Sequence, residues 1–284
     1  MILVDLNQVM ISNLMMQIGN HTNIQIEPGL IRHMVLNSLR SYRQKYKDKY
    51  GELVICCDNR HYWRKEVFPY YKASRKKTRE ASDLDWTAVF ETLNVIRDEL
   101  KETFPYKVIN IKGAEADDVI GTLARRYHAH EKVLVMSGDK DFMQLQRYPN
   151  IDQFSPMQKR WLRTDDANAF LKEHIIRGDR GDGIPNFLSP DDVFVTEGAR
   201  QKPVSKKKLD TWVSIDPVQF CSNETMMRNY KRNEQLIDLT MTPQAIVDDI
   251  VTTFEDYEIP PRSGLLNYFM KNKLTLMLEH LQEF

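Results

Sequence analysis

Long apolar runs, paired cysteines and net charge are all missing from this chain of 284 residues, and each absence removes a class of protein. No hydrophobic stretch approaches the roughly 18 residues needed to span a bilayer, which speaks against a membrane protein. The N-terminal MILVDLNQVM is apolar, but Asp5 interrupts it and no basic leader precedes it, so it does not read as a signal peptide. Cys56 and Cys57 are adjacent, Cys221 is alone and no C-x-x-C occurs. A reduced, cytoplasmic setting fits that usage best. The 40 basic and 40 acidic residues cancel, so net charge names no partner. H-E-x-x-H, the Walker-type G-x-x-x-x-G-K-[ST] and G-x-G-x-x-G are absent too, which leaves zinc-protease and nucleotide-cradle readings unsupported. His128 and His130 read as the solvent-side end of a helix. There is no internal repeat and no low-complexity tail.

What is present is ordinary in amount and unusual in arrangement. Hydrophobic residues make up 42% and charged residues 28%, values typical of a soluble globular chain long enough for one large domain, or a domain with a smaller partner. The first part alternates short apolar runs with amphipathic ones, which predicts an α/β fold with a mainly parallel central sheet. Strands are expected at Ile2–Leu6, Leu53–Cys57, Tyr106–Ile111 and Lys132–Met136, with a late hairpin at Ile151–Phe154 and Arg160–Leu162. Pro28 suits the first turn of a helix carrying Ile31, Met34, Val35, Leu39 and Tyr42 at helical spacing. A second helix should run from about Trp86 to Thr103, capped by Asp85 or Ser82, and a third from just after Gly113 through Ala124. From Thr164 onward the pattern becomes helical, with Gly/Pro/Asp-rich turns.

Each of the four expected strands leads into acid: Asp5, Asp58, the trio Glu115, Asp117 and Asp118, and then Asp139 with Asp141. An aspartate after a strand is often only a helix cap. All four strands delivering carboxylates to one edge is a different matter, since ligand sites in open α/β sheets lie beyond the carboxyl ends of the strands. Like charges about 4 Å apart repel by roughly 4 kcal/mol at a typical effective dielectric, so something positive is expected among them. Hard divalent cations suit such oxygen donors, and two of them about 4 Å apart can activate water and stabilise a leaving oxygen in phosphoryl displacement. Asp179 and Asp182 in RGDRGDGIP supply a second acidic pair, though that segment is also ordinary turn chemistry.

Directly after Asp58, RHYWRKEVFPYYKASRKKTR (residues 60–79) interleaves cations with aromatics. Cations neutralise phosphates and aromatic rings stack on unpaired bases. For Lys76-Lys77 a solvated loop is the simpler reading; for Arg64 to Arg75 the acidic neighbour favours substrate contact. Lys206, Lys207 and Lys208 form a second basic run that either faces solvent or holds a duplex backbone.

These segments together resemble the 5′-nuclease (flap endonuclease) family over nearly the whole chain. The carriers are LVDLNQ at Asp5, CDNRHYWR at Asp58, P-x-Y-K-x-x-R from Pro69 to Arg75, EADD, SGDKDF, the GDRGD turn and IPPRSGLLNYF. The resemblance implies a PIN-like nuclease domain with a helical arch at about 60–84, filling residues 1–178, and a smaller helical duplex-binding region at 179–284. It implies Mg²⁺-dependent 5′→3′ exonuclease activity on RNA·DNA hybrids and DNA duplexes with 5′-flap cleavage, as in primer removal, with Mn²⁺ able to substitute. Carried over, Asp5, Asp58, Asp117 and Asp139 surround a first metal, with Glu115 and Asp118 adjacent, and Asp141, Asp179 and Asp182 hold a second. Arg64 and Lys72 meet the scissile or terminal phosphate as catalytic cations, while Tyr71, Arg75, Arg79 and Lys206–Lys208 contact nucleic acid. A monomer working beside a single-strand DNA-binding protein is the corresponding expectation for partners. IPNFLSPDDVFVTEGARQKPVSKKK departs from the family by lacking the Gly-rich helix-hairpin-helix spacing. A non-catalytic protein that binds branched DNA, and a receiver-like signalling domain with an Asp cluster, are the alternatives from other classes; the basic segment has no role in the latter.

Overall fold

The computed structural model describes residues 1–18, 27–82 and 84–284. The Lys77 side chain of the basic segment and Asp83 of the expected arch lie outside the described residues. Six strands form one sheet: β1 (Ile2–Asp5), β2 (Leu53–Cys56), β3 (Lys107–Ile109), β4 (Val133–Met136), β5 (Ile151–Ser155) and β6 (Arg160–Leu162). Their order is β3-β2-β1-β4-β5-β6. Every neighbouring pair is parallel except the β5–β6 hairpin, and β5 also pairs in parallel with β4.

The strands are short and almost wholly apolar because both faces are covered, as in parallel sheets generally. Alternation sorts their side chains. Ile2, Val4, Ile55, Val108, Leu134 and Met136 join one core with the helices Pro28–Tyr50 and Trp86–Thr103. Leu3, Val54, Ile109, Val133 and Val135 join another with the helix Ala116–Tyr127. Each fully buried aliphatic side chain contributes on the order of 1.5–3 kcal/mol, so the central strands are fixed tightly enough to aim the residues at their ends. Three expected strands are shorter than their apolar runs, β2 by the single residue Cys57. β1 stops at Asp5 because the helix Leu6–Ile18 begins at once. β3 stops at Ile109 where the Asn110 side chain turns to donate to the Asp58 carbonyl at 2.8 Å.

Helix boundaries follow local chemistry. Pro28 occupies the first turn of its helix. Asp85, not Ser82, caps Trp86–Thr103, accepting from Thr87 and Ala88 nitrogens at 3.0 Å each. Past Leu162 the described residues form helices and turns without another strand. Residues 185–205 contain no helix, in keeping with their missing glycine pattern; Asn186 organises them by accepting from Leu188 and Ser189 and donating to the Lys202 carbonyl. The later helices pack on two places. Glu224–Ile237 joins a third core with Phe68, Tyr71, Ile175 and Phe187, whereas Leu265, Phe269 and Phe284 return to the first core against Phe104. Among the described residues no helix is long and apolar enough to cross a membrane.

Glu99 ties that returning segment down. It accepts from Arg32 through two bonds of 2.7 and 2.8 Å and from the Tyr268 hydroxyl at 2.6 Å. Burial alone would push its carboxyl up, but Arg32 and Tyr268 outweigh it and hold the carboxyl below its ordinary value. A depressed folded pKa gives stability that is present above the unfolded value of about 4.3 and lost as pH falls through the folded one. Glu99→Gln is therefore expected to lose about 1 kcal/mol of unfolding free energy at pH 7. Urea titrations of both proteins should show that difference shrinking as pH falls below about 4.3.

Candidate active site

β1 lies between β2 and β4, so the chain builds outward on both sides of it, and the switch point falls at the carboxyl ends of β1 and β4. Asp5 closes β1, Asp58 follows β2, Asp117 occupies the first turn of the helix after β3, and Asp139 follows β4. Parallel pairing brings all four to one edge. Neutral donors aim them. Asp5 accepts from the Gln8 nitrogen and the Ser137 hydroxyl, each at 3.1 Å. Asp58 accepts from Asn7 at 2.7 Å and from the Ala116 nitrogen at 2.8 Å. Asp139 accepts from the Asp141 nitrogen at 3.0 Å.

These bonds orient the carboxylates without neutralising them. Burial, then Asp58 and Asp139, push Asp5 up to about 7. Burial and Asp139 push Asp117 well above its ordinary value although Lys72 pulls against them. Burial, Asp139, Asp179 and Asp182 push Asp141 up to about 7 against the opposing influence of His174. Among the described residues no lysine, arginine or histidine forms an ion pair with Asp5, Asp58, Asp117 or Asp139. Such an oxygen-rich donor set fits hard divalent cations.

Glu115 and Asp118 differ, because the protein itself neutralises them. They form a capping box in which Asp118 accepts from the Glu115 nitrogen at 2.9 Å. The Arg64 guanidinium bridges Glu115 at 3.0 Å and Asp118 at 2.9 Å, and donates to the Leu236 carbonyl at 2.9 Å. Thr242 and Trp63 fill the other Asp118 oxygen at 2.8 and 3.2 Å. Burial would raise the Asp118 carboxyl, yet Arg64 holds it below its ordinary value. Three expectations are corrected here. Arg64 is 2% exposed and turned inward, so it does not meet a phosphate. Asp118 is 0% exposed with its oxygens already bonded, so it is a structural anion and not a metal ligand. Tyr71 is 2% exposed, packed in the third core, with its hydroxyl against Glu115 and Asp182 at 3.1 and 3.0 Å, and offers no face to a base.

Lys72 and Arg75 are the cations of the same segment that do face the cleft. Lys72 Nζ donates to Glu115 at 2.6 Å and lies 3.6 Å from Asp182, while Arg75 pairs with Asp182 on its exposed side. The segment is not a free arch at this end. Lys72 has a φ of 55° and its nitrogen donates to the Asp182 carbonyl at 2.7 Å. Gly183 answers it from the turn with a φ of 73°, where a Cβ would come within 2.9 Å of the Tyr70 carbonyl oxygen.

The same turn separates its two acids. Asp182 looks toward Tyr71, Lys72 and Arg75, whereas Asp179 looks toward Lys140 at 2.7 Å and His174 at 3.0 Å. The pair does not present one shared face, because the segment closes as a tight turn, Ile184 nitrogen to Asp179 carbonyl at 2.7 Å, and not as a helical turn. Asp141, His174 and Asp179 can bring one ligand atom each within 4.8 Å of one another. His174 carries no sequence signal beyond a histidine five residues ahead of an acidic turn, and the orienting donors Asn7, Gln8 and Ser137 carry none at all. Farther out, the Arg79 guanidinium lies over the Phe90 ring at 5.4 Å, and Lys206, Lys207 and Lys208 form the exposed first turn of a helix capped by Ser205.

Comparisons with known proteins agree over the whole length. Residues 1–174 match the family described as 5′-3′ exonuclease, N-terminal resolvase-like domain, and residues 167–284 match T4 RNase H, C terminal. The chain is 34% identical to ribonuclease H of Enterobacteria phage T4 over 99% of its own length and 95% of that protein. It is 33% identical to flap endonuclease Xni of a Shewanella species (strain MR-4) over 44% of its length and 48% of that protein. In fold it is similar to the bacteriophage T5 D15 flap endonuclease in a complex with DNA and metal ions, at a TM-score of 0.66 and 18% identity, covering 90% of this chain and 97% of that one.

Removing Arg64 would leave the buried Asp118 without a cation and Glu115 with Lys72 alone, and breaking a buried pair costs about 3–5 kcal/mol in other proteins. Arg64→Ala should show a loss of that order in a denaturant titration. A loss below about 1 kcal/mol, the worth of an exposed pair, would show that the guanidinium is not their counter-ion.

Proposed function

The chain belongs to the 5′-3′ exonuclease family, and from that premise we propose that it is a Mg²⁺-dependent 5′→3′ exonuclease on RNA·DNA hybrids and DNA duplexes that also cleaves 5′ flaps, and so removes RNA primers. The observation that carries this reading is that Asp5, Asp58, Asp117 and Asp139 come to one sheet edge at the switch point, with Asp141 two residues on, and that none of the first four is ion-paired with a side-chain cation among the described residues. Asp5, Asp58, Asp117 and Asp139 would hold one ion, and Asp141, Asp179 and Asp182 a second, in part through water. Bound divalent cations supply an acidified water and offset charge on the phosphodiester.

The chain's own residues do the rest. The short, fully buried strands and the neutral donors Asn7, Gln8 and Ser137 fix where the carboxylates point. Lys72 and Arg75, beside the cleft, take phosphate oxygens and stabilise negative charge as it develops. Glu115, anchored by Arg64, sets where the Lys72 ammonium sits. Residues 179–284, with Lys206–Lys208 exposed, hold the duplex backbone behind the site. In that role the protein works in the cytoplasm as a monomer beside a single-strand DNA-binding protein.

The test uses a 5′-flapped duplex and an RNA·DNA hybrid labelled at the 5′ end, with Mg²⁺ or EDTA. Short 5′ products should appear with Mg²⁺ only. Asp139→Asn should abolish them while duplex binding persists, and Lys72→Ala should slow them by about 10²–10³-fold. Tight binding by the wild-type protein without cleavage would make it a non-catalytic protein that recognises branched DNA.

A further inference from the structure

Beside the carboxylates of the second ion lies a side chain that the nuclease reading does not use. His174 sits near the end of the helix Ala167–Arg177, and its ring is pressed between Asp141 and Asp179. It is 6% exposed. Its Nε2 lies 3.0 Å from an Asp179 oxygen that also receives Lys140 Nζ at 2.7 Å. His174 and Lys140 together, against the effect of burial, hold the Asp179 carboxyl well below its ordinary value. The Asp179 contact occupies the Nε2 edge of the ring and leaves Nδ1 on the opposite edge.

That opposite edge is unsatisfied. Nδ1 of His174 and Oδ1 of Asp141 are both buried without a hydrogen-bond partner, and they face each other across 3.5 Å. Two unpartnered buried polar atoms in that position are placed to share a cation. Donors that share one ion through bonds of about 2.1 Å stand about 3–3.5 Å apart, which is the spacing seen. Asp179 holding Nε2 while Nδ1 faces the ion is the carboxylate–histidine arrangement that fixes a ligand's tautomer. The turn glycine keeps this in register. Gly178 has a φ of 67°, and a Cβ there would come within 2.4 Å of the Ile184 carbonyl oxygen, so the chain can reverse between His174 and Asp179 only with glycine.

We propose that His174 Nδ1 and Asp141 ligate a divalent transition-metal ion, Mn²⁺, Co²⁺ or Ni²⁺ in chemical class, with Asp179 orienting the ring from its Nε2 edge, so that the second ion's site contains nitrogen and is not all-oxygen. Imidazole ligation shifts preference toward these ions, whereas carboxylate, carbonyl and water suit Mg²⁺. The proposal deepens the reading of the site as a metal-dependent nuclease and rests on it.

Two measurements on the full chain test it. In the first, wild type and His174→Gln are titrated with Co²⁺ and, separately, with Mg²⁺ by calorimetry. Glutamine keeps an amide for Asp179 and removes the ring nitrogen. The variant should bind Co²⁺ at one site about 10–100-fold more weakly and Mg²⁺ within twofold of wild type; equal Co²⁺ affinities would overturn the site. The second needs no variant, so a folding failure of His174→Gln leaves the question decidable. Mn²⁺-loaded wild type should show hyperfine coupling to a directly bound nitrogen in pulsed electron paramagnetic resonance, and its absence would overturn the assignment. Mg²⁺-dependent flap cleavage by the same preparation reads the nuclease function separately, so either idea can fail alone.

Discussion

One guanidinium decides how this molecule is put together. Arg64 is buried with Glu115 and Asp118 on the first turn of the helix after β3 and with the Leu236 carbonyl in the helical region. It fastens the basic segment after Asp58 to both halves of the chain at once. Everything nearer the cleft is placed relative to it. Tyr71 reaches Glu115 and Asp182, Lys72 reaches Glu115, and the Lys72 nitrogen meets the GDRGD turn. A buried pair of this kind brings little net stability against apolar packing, but losing one partner is expensive. Its value here lies in fixing the position of the residues around it.

The acids fall into two groups by what offsets their charge. Asp118 is neutralised by Arg64 and belongs to the scaffold, and Glu115 is paired with Arg64 on one side and Lys72 on the other. Asp5, Asp117 and Asp141 are buried and each lies near Asp139, so their carboxyls are driven upward. The first group holds the helix and the basic segment in place. The second group leaves a demand for positive charge at the strand ends, where a phosphodiester and its cations would meet.

Much of this was legible in the sequence, for identifiable reasons. Apolar runs that stop at an acid mark buried strands with polar ends, because a carboxylate cannot stay inside a two-faced core without a partner. That logic located β1, β2, β4 and the hairpin within a residue or two, and from them the edge of the site. The basic aromatic segment was less transparent. Its composition says that cations and rings occur together but not which of them turn inward, so Arg64 and Tyr71 were expected at the substrate and lie in the interior. Asp179 and Asp182 read either as a second acidic pair or as ordinary turn chemistry, and the glycines beside them close a turn that points them apart. His174 was invisible for a simpler reason: its neighbours Asp141 and Asp179 meet it only once the helix Ala167–Arg177 packs beside the segment after β4.

The central claim is that the strand-end carboxylates carry a charge deficit that divalent cations relieve in the folded protein. Thermal unfolding of the wild type in EDTA and in increasing Mg²⁺ tests it without substrate. Binding to the folded state alone stabilises it by about 2.7 kcal/mol when the ion is at a hundred times its Kd. The melting temperature should therefore climb with Mg²⁺ in the wild type and climb much less in Asp5→Asn. A midpoint that does not move with Mg²⁺, or that moves equally in both proteins, would contradict the account.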